Sequence, residues 1–108
     1  MLNPQALKGH LDLLLLSVVA NTPGHGYAIA EALRSRSDAV IDLAEGTLYP
    51  ALHRLEDAGL ISGRWSEVNG RRRRVYQLTA KGERSLTQKR REWNLFARTV
   101  YAVVGGRP

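Results

Sequence analysis

The segment ISGRWSEVNGRRRRVYQL, Ile61–Leu78, decides the fold. Asn69-Gly70 stands at its middle, the pair preferred by a two-residue hairpin turn with positive φ at both positions. Before it, Ile61, Gly63 and Trp65 alternate with Ser62, Arg64 and Ser66. After it, Tyr76 and Leu78 alternate with Val75 and Gln77. A period of two marks a strand with one buried face. The segment therefore reads as a β-hairpin, with Trp65 packed on its apolar side. Tyr76 and Leu78 face the core, so Arg72 and Arg74 share their parity while Arg71 and Arg73 point away. Four like charges at a hairpin tip have two readings: an external polyanion meets them, or the turn is simply solvated.

Outward from the hairpin, the preceding sequence is helical. Asn3 followed by Pro4 suits a helix opening, a cap residue and then Pro at the first helical position. Leu7, Leu11, Leu14, Leu15 and Val18 follow on one face of a single helix. Asn21–Gly26, NTPGHG, stops it with a Pro and two Gly. A second helix runs from Tyr27 to about Ser35 with Ile29, Ala30 and Leu33 on one side. In Asp42–Leu60, Asp42 and Glu45 have the form of a capping box. Leu48, Leu52 and Leu55 make the apolar stripe, and Gly59 sits where a left-handed C-cap belongs. Pro50 removes a donor and crowds the preceding turn, so the regular helix is expected to start near Thr47 or Leu48. Beyond the hairpin, Thr79 opens a long helix to about Val104, with Leu86, Trp93, Ala97, Val100 and Val104 at near-heptad spacing. Gly105, Gly106 and Pro108 end it. A helix this long with a narrow apolar seam asks for a partner helix.

The 108 residues fit one compact unit with a modest core, which a second copy would help to stabilise. Residues 1–60 hold four basic and seven acidic side chains, a balance of −3; residues 61–108 hold twelve and three, a balance of +9. A basic half that includes the hairpin points to nucleic acid. The absence of cysteine excludes disulfides and Cys-based zinc sites and fits a reducing cytoplasm, the expected location. Leu11–Ala20, LDLLLLSVVA, has some look of a signal peptide, but it contains Asp12, has a weak basic flank and is too short to span a bilayer. No membrane association is expected.

Three short helices and a two-stranded hairpin make a winged helix-turn-helix. In that arrangement the second helix of the pair enters the major groove and the wing meets the adjacent backbone or minor groove. The expected fold is therefore mainly α with a small β-hairpin. Residues 1–79 form the winged helix-turn-helix DNA-binding domain, and residues 80–108 form a C-terminal dimerisation helix.

The pieces Lys8–Ala20 (KGHLDLLLLSVVA), His25–Leu33 (HGYAIAEAL), Glu45–Ile61 (EGTLYPALHRLEDAGLI) and Gly70–Gly82 (GRRRRVYQLTAKG) together resemble the PadR family of bacterial transcriptional regulators. The match runs from about residue 8 to residue 97, and GTLYPALHRLE together with YxLTxxG is its specific part. The resemblance implies a homodimeric repressor of the short subgroup, which dimerises through the last helix and in part the first. That places Leu11, Leu86, Trp93, Ala97, Val100 and Val104 at the dimer interface. It also implies a double-stranded, roughly palindromic DNA partner, with contacts falling on Thr47, Tyr49 and nearby polar residues. Thr47 and Tyr49 hydroxyls can bond phosphate, and Tyr49 can also reach a base edge or serve as a core aromatic. His53 and Arg54 lie further along the same helix; Arg54 either touches the DNA backbone or pairs with Glu56 or Asp57. With Arg71, Arg72, Arg73 and Arg74 they complete the expected DNA-binding set. This helix has little bidentate base-reading chemistry, so DNA shape is expected to contribute to specificity.

In short regulators of this kind that bind flat aromatic drugs, a tryptophan from each subunit lines a pocket at the dimer centre. Trp93 with Phe96 would suit a planar aromatic effector in the same way, or would simply pack the interface. His10, His25 and His53 lack metal-ligand spacing and read as structural. No Ser-His-acid grouping or phosphate-cradling glycine loop occurs. Neither an enzyme nor a cofactor is expected. Two other readings compete: a winged-helix protein-interaction module, and a basic protein binding DNA without sequence choice. Steep salt dependence separates the first from a regulator, and competition by random DNA separates the second.

Overall fold

The computed structural model describes Leu2 and residues 4–106; the Asn3 cap and the Pro108 stop lie outside the described residues. Its elements are α1 (Pro4–Leu7), α2 (Leu11–Asn21), β1 (Gly24–His25), α3 (Gly26–Arg36), α4 (Glu45–Asp57), β2 (Ile61–Val68), β3 (Arg71–Leu78) and α5 (Ala80–Val104).

The first apolar run is two helices where the sequence suggested one. Gly9 takes φ +86° and breaks the ladder, and the His10 N–H turns back to the Leu7 carbonyl at 2.9 Å. A single glycine in a strong apolar pattern is easily read through, yet only glycine takes a left-handed φ without steric cost. Leu15, Leu16, Val18 and Val19 of α2 are buried.

The capping box does not form. Helix α4 begins at Glu45 with Ala44 at the N-cap and no side-chain cap, while the Asp42 carboxylate lies 3.9 Å from Arg34 Nε. Pro50 therefore falls in the second turn of α4, and the expected start at Thr47 or Leu48 is two or three residues late. The carbonyl that Pro50 cannot bond belongs to exposed Gly46, where water can reach it. At the other end Gly59 has φ +77°, with the Gly59 N–H bonded to Glu56 O and the Leu60 N–H to Leu55 O. That pair of bonds is the Schellman closure expected of a glycine after the cap.

The hairpin forms in the register the turn dictates, from Val68 opposite Arg71 to Ile61 opposite Leu78, with Asn69 and Gly70 both at positive φ. A third strand joins it. Gly24 pairs with Tyr76 and His25 with Val75, so the sheet order is β1-β3-β2 and β3 is central. Two residues, one of them glycine, carry no readable alternation, which is why the sequence showed only two strands.

Thr79 caps α5, accepting from the Gly82 N–H at 3.0 Å and donating to the Gly59 carbonyl at 2.6 Å. A methyl group at Gly82 would lie 1.9 Å from Leu60 O, so glycine lets the first turn of α5 press against the turn between α4 and β2. Leu86 is only 4% exposed, packed in the core of its own chain, and so sits apart from the seam proposed for it. Beyond it α5 leaves the core. Its 25 residues extend about 37 Å, and its last three turns expose Phe96, Val100, Tyr101, Val103 and Val104. Among the described residues, no helix is long and apolar enough to cross a membrane.

Candidate nucleic-acid interface

Helix α4 turns Leu48, Ala51, Leu52 and Leu55 into the core. What remains outside is a polar face of Glu45, Thr47, Tyr49, His53 and Arg54. Tyr49 is 37% exposed, which removes it from the core and leaves its hydroxyl accessible. Its ring lies over Gly26 at the start of α3, where an added methyl would come within 2.6 Å of it. Gly26 thus sets how closely the paired helices approach. Arg54 does not pair with Glu56 or Asp57. Its Nη2 donates to Asp12 Oδ1 of α2 at 2.8 Å, which ties the two helices together and neutralises part of the charge.

Between the N-terminus of α3, the outer face of α4 and the wing lies an open groove of about 520 Å³. His25, Tyr27, Tyr49 and all four arginines of the run line it. The arginines differ in their partners. Arg71 and Arg72 are exposed near the tip, whereas Arg73 and Arg74 are half-buried. Arg72 lies over the Trp65 ring at 4.9 Å and Arg74 at 5.5 Å, as expected of residues sharing one face of the hairpin. Arg74 Nη2 also donates to Glu56 Oε2 at 2.5 Å. Trp65 is 58% exposed, so it packs against guanidinium groups and not within the core as its alternation suggested.

Arg73 Nη1 stands 3.4 Å from both ring nitrogens of His25. His25 is the N-cap of α3, its Nδ1 accepting the Ala28 N–H at 3.3 Å. Burial first, and then the Arg73 charge, lower its pKa from 6.5 and favour the neutral ring that capping requires. His25, Tyr27, Glu56 and Trp65 were absent from the residues expected at the site. The hint for His25 was local, a histidine two residues before the helix start expected at Tyr27. The contacts of Glu56 and Trp65 depend on pairings across the fold.

At the far end, Trp93 and Phe96 stand together with ring centroids 6.0 Å apart, and His10 meets the Trp93 ring edge-on at 5.3 Å. Gly9, Leu13, Lys89 and Glu92 complete a small cleft of about 190 Å³ around them. Leu11 is half-buried against the core, and Ala97 is half-buried on α5. Among the described residues, no group of three or more His, Asp and Glu side chains stands close enough to hold a metal ion.

Residues 15–88 match the model of the transcriptional regulator PadR-like family. The chain belongs to this family. The PadR-like chain is 40% identical over 88 residues to the transcriptional regulator Rv3488 of Mycobacterium tuberculosis, covering 82% of this sequence and 79% of that one. A transcriptional regulator from Clostridium thermocellum superposes with a TM-score of 0.84 at 29% identity, covering 94% of this chain and 97% of that one. A PadR-like transcriptional regulator from Bacillus cereus gives 0.81 at 28% identity, covering 95% and 99%. The mainly helical winged fold read from the sequence is thus the fold of this PadR-like regulator, and its function is the regulation of transcription.

Proposed function

We propose that this PadR-like chain is a homodimeric repressor that binds a roughly palindromic DNA duplex and releases it in response to an effector. The observation that carries this reading is the groove in which exposed Tyr49 of α4 and the arginine wing face the same space. A duplex offers a major groove about 12 Å wide, which admits a helix, flanked by phosphate rails that reward the adjacent cations. On this reading, Thr47, Tyr49 and His53 approach the groove, and Arg71 and Arg72 reach the backbone.

The homodimer is supported by the apolar outer turns of α5, where Val103 is 80% and Val104 is 70% exposed. Such a face needs a covering, and a second α5 carries the matching residues. Leu11, Trp93, Ala97, Val100 and Val104 remain in the proposed interface. Two-fold symmetry then sets half-sites about 34–36 Å apart, or a multiple of that. Trp93 and Phe96 offer an aromatic surface to a planar effector.

Selection of bound fragments from the organism's own genomic DNA, followed by anisotropy titration of the best fragment, tests the reading. Specific binding should exceed that of random-sequence DNA by at least about 10³-fold. Equal binding to both would leave a non-specific basic protein, and no binding at low salt would remove DNA as the partner.

A further inference from the structure

Glu56 stands in the last turn of α4, between that helix and the arginine wing proposed to meet phosphate. Its Oε2 accepts two hydrogen bonds, from Arg74 Nη2 of β3 at 2.5 Å and from the Gly63 N–H of β2 at 3.2 Å. One oxygen thereby joins the helix to both strands of the wing. The pair is shielded, with the two side chains only 32% and 22% exposed. Trp65 covers the Arg74 guanidinium and also underlies Arg72. Arg74 is therefore held by a carboxylate from α4 and an indole from β2, which leaves little of it for a phosphate.

We propose that Glu56 and Arg74 are positioning residues that fix the angle between the reading helix and the wing, with Trp65 bracing Arg72 toward the duplex. The inference rests on the reading of α4 and the wing as the DNA surface. It reverses the expectation that Arg74 touches DNA itself. It also gives an acidic residue a positive role in binding a polyanion, which charge alone would forbid. Short charge-assisted hydrogen bonds in partly shielded places are strong enough to hold such an angle.

The test uses the full-length chain and the genomic fragment selected above, with affinity measured between about 50 and 200 mM salt. Removing an acid from a DNA-binding face should tighten binding if charge were its only effect. With the clamp, Glu56→Gln weakens binding about tenfold, comparable to one charge-assisted bond, and leaves the salt slope unchanged. Glu56→Asp, which keeps the charge but shortens the reach, also weakens it. The double variant Glu56→Gln/Arg74→Gln is no weaker than the worse single variant, because both break one contact. Should Glu56→Gln fail to fold, Arg74→Lys preserves the charge and still loses affinity. Folded Glu56→Gln binding as tightly as the parent overturns the proposal, as does unchanged affinity in Arg74→Lys. So does an Arg74→Gln slope smaller by about 0.9 per subunit, the mark of a direct phosphate contact. A parent chain that binds no duplex would instead overturn the DNA-binding reading, an outcome visible before any variant is made.

Discussion

Replacing Arg71 and Arg72 with alanine should change the salt dependence of DNA binding far more than the stability of the fold. Both side chains are exposed at the wing tip. Arg74 is bonded to Glu56, and Arg73 stands against His25. The tip pair thus supplies the cations best placed for phosphate: two per subunit, and four in the proposed dimer. Each phosphate neutralised contributes a slope of about −0.9 to log K against log salt, so four contribute about −3.6. Between about 50 and 200 mM salt, a fourfold change, that slope corresponds to roughly a hundredfold in affinity. The parent should outbind the Arg71→Ala/Arg72→Ala variant strongly at the lower salt, and the ratio should shrink by roughly that factor at the higher salt. The deficit should be alike for specific and random duplexes, because phosphates carry no sequence. Anisotropy titrations at four or so salt concentrations measure the slope, and thermal melting confirms the fold. An unchanged slope in a folded variant would refute the wing as a phosphate contact and leave it a solvated turn.

Val100→Glu with Val104→Glu places charges on the exposed apolar turns of α5 and should give monomers by light scattering; a persistent dimer would move the interface elsewhere. A planar aromatic cation should quench Trp93 emission, and the quenching should vanish in Trp93→Ala. Quenching that survives would exclude the cleft beside His10 and Phe96. His25 is held neutral in the folded chain, so its lowered pKa contributes stability above its unfolded value near 6.5. That contribution is lost as pH falls through the lower folded value. Melting temperature should therefore drop more steeply on acidification in the parent than in His25→Asn, which can cap α3 without titrating in this range. Parallel pH profiles would show that the His25 ring does not control the effect.

Local signals carried most of the architecture. Asn69-Gly70 determined the turn, and the alternation around it determined the strand register, because slipping by one residue would send Tyr76 out to solvent. The apolar stripes of α2 and α4 were legible for the same reason: burial on one face repeats with the helix period. Gly9 and Asp42 misled because each was judged from its neighbours alone. The first broke a helix that its flanking leucines suggested was continuous, and the second lay too far from the true helix start to cap it. Leu86 fitted the heptad spacing of α5, but that spacing does not say where a helix stops lying on its own core. At the site, the wing tip was foreseeable from types and spacing, whereas the choice of Thr47 and Tyr49 on α4 came from the family resemblance and left open whether Tyr49 was exposed. The Arg54–Asp12 and Arg74–Glu56 pairs were not, since they join residues 42 and 18 positions apart.

The central place of β3 has a mechanical consequence. One edge of that strand is stitched to the segment leading directly into α3, and the other to the segment leaving α4. Both members of the helix pair are thereby hitched to a single ribbon, so a movement at the base of the wing would pull on both. In the proposed homodimer, a signal acting at the remote end of α5 would meet this cross-linked block as a unit. Its effect there would be to reset how far apart the two blocks stand.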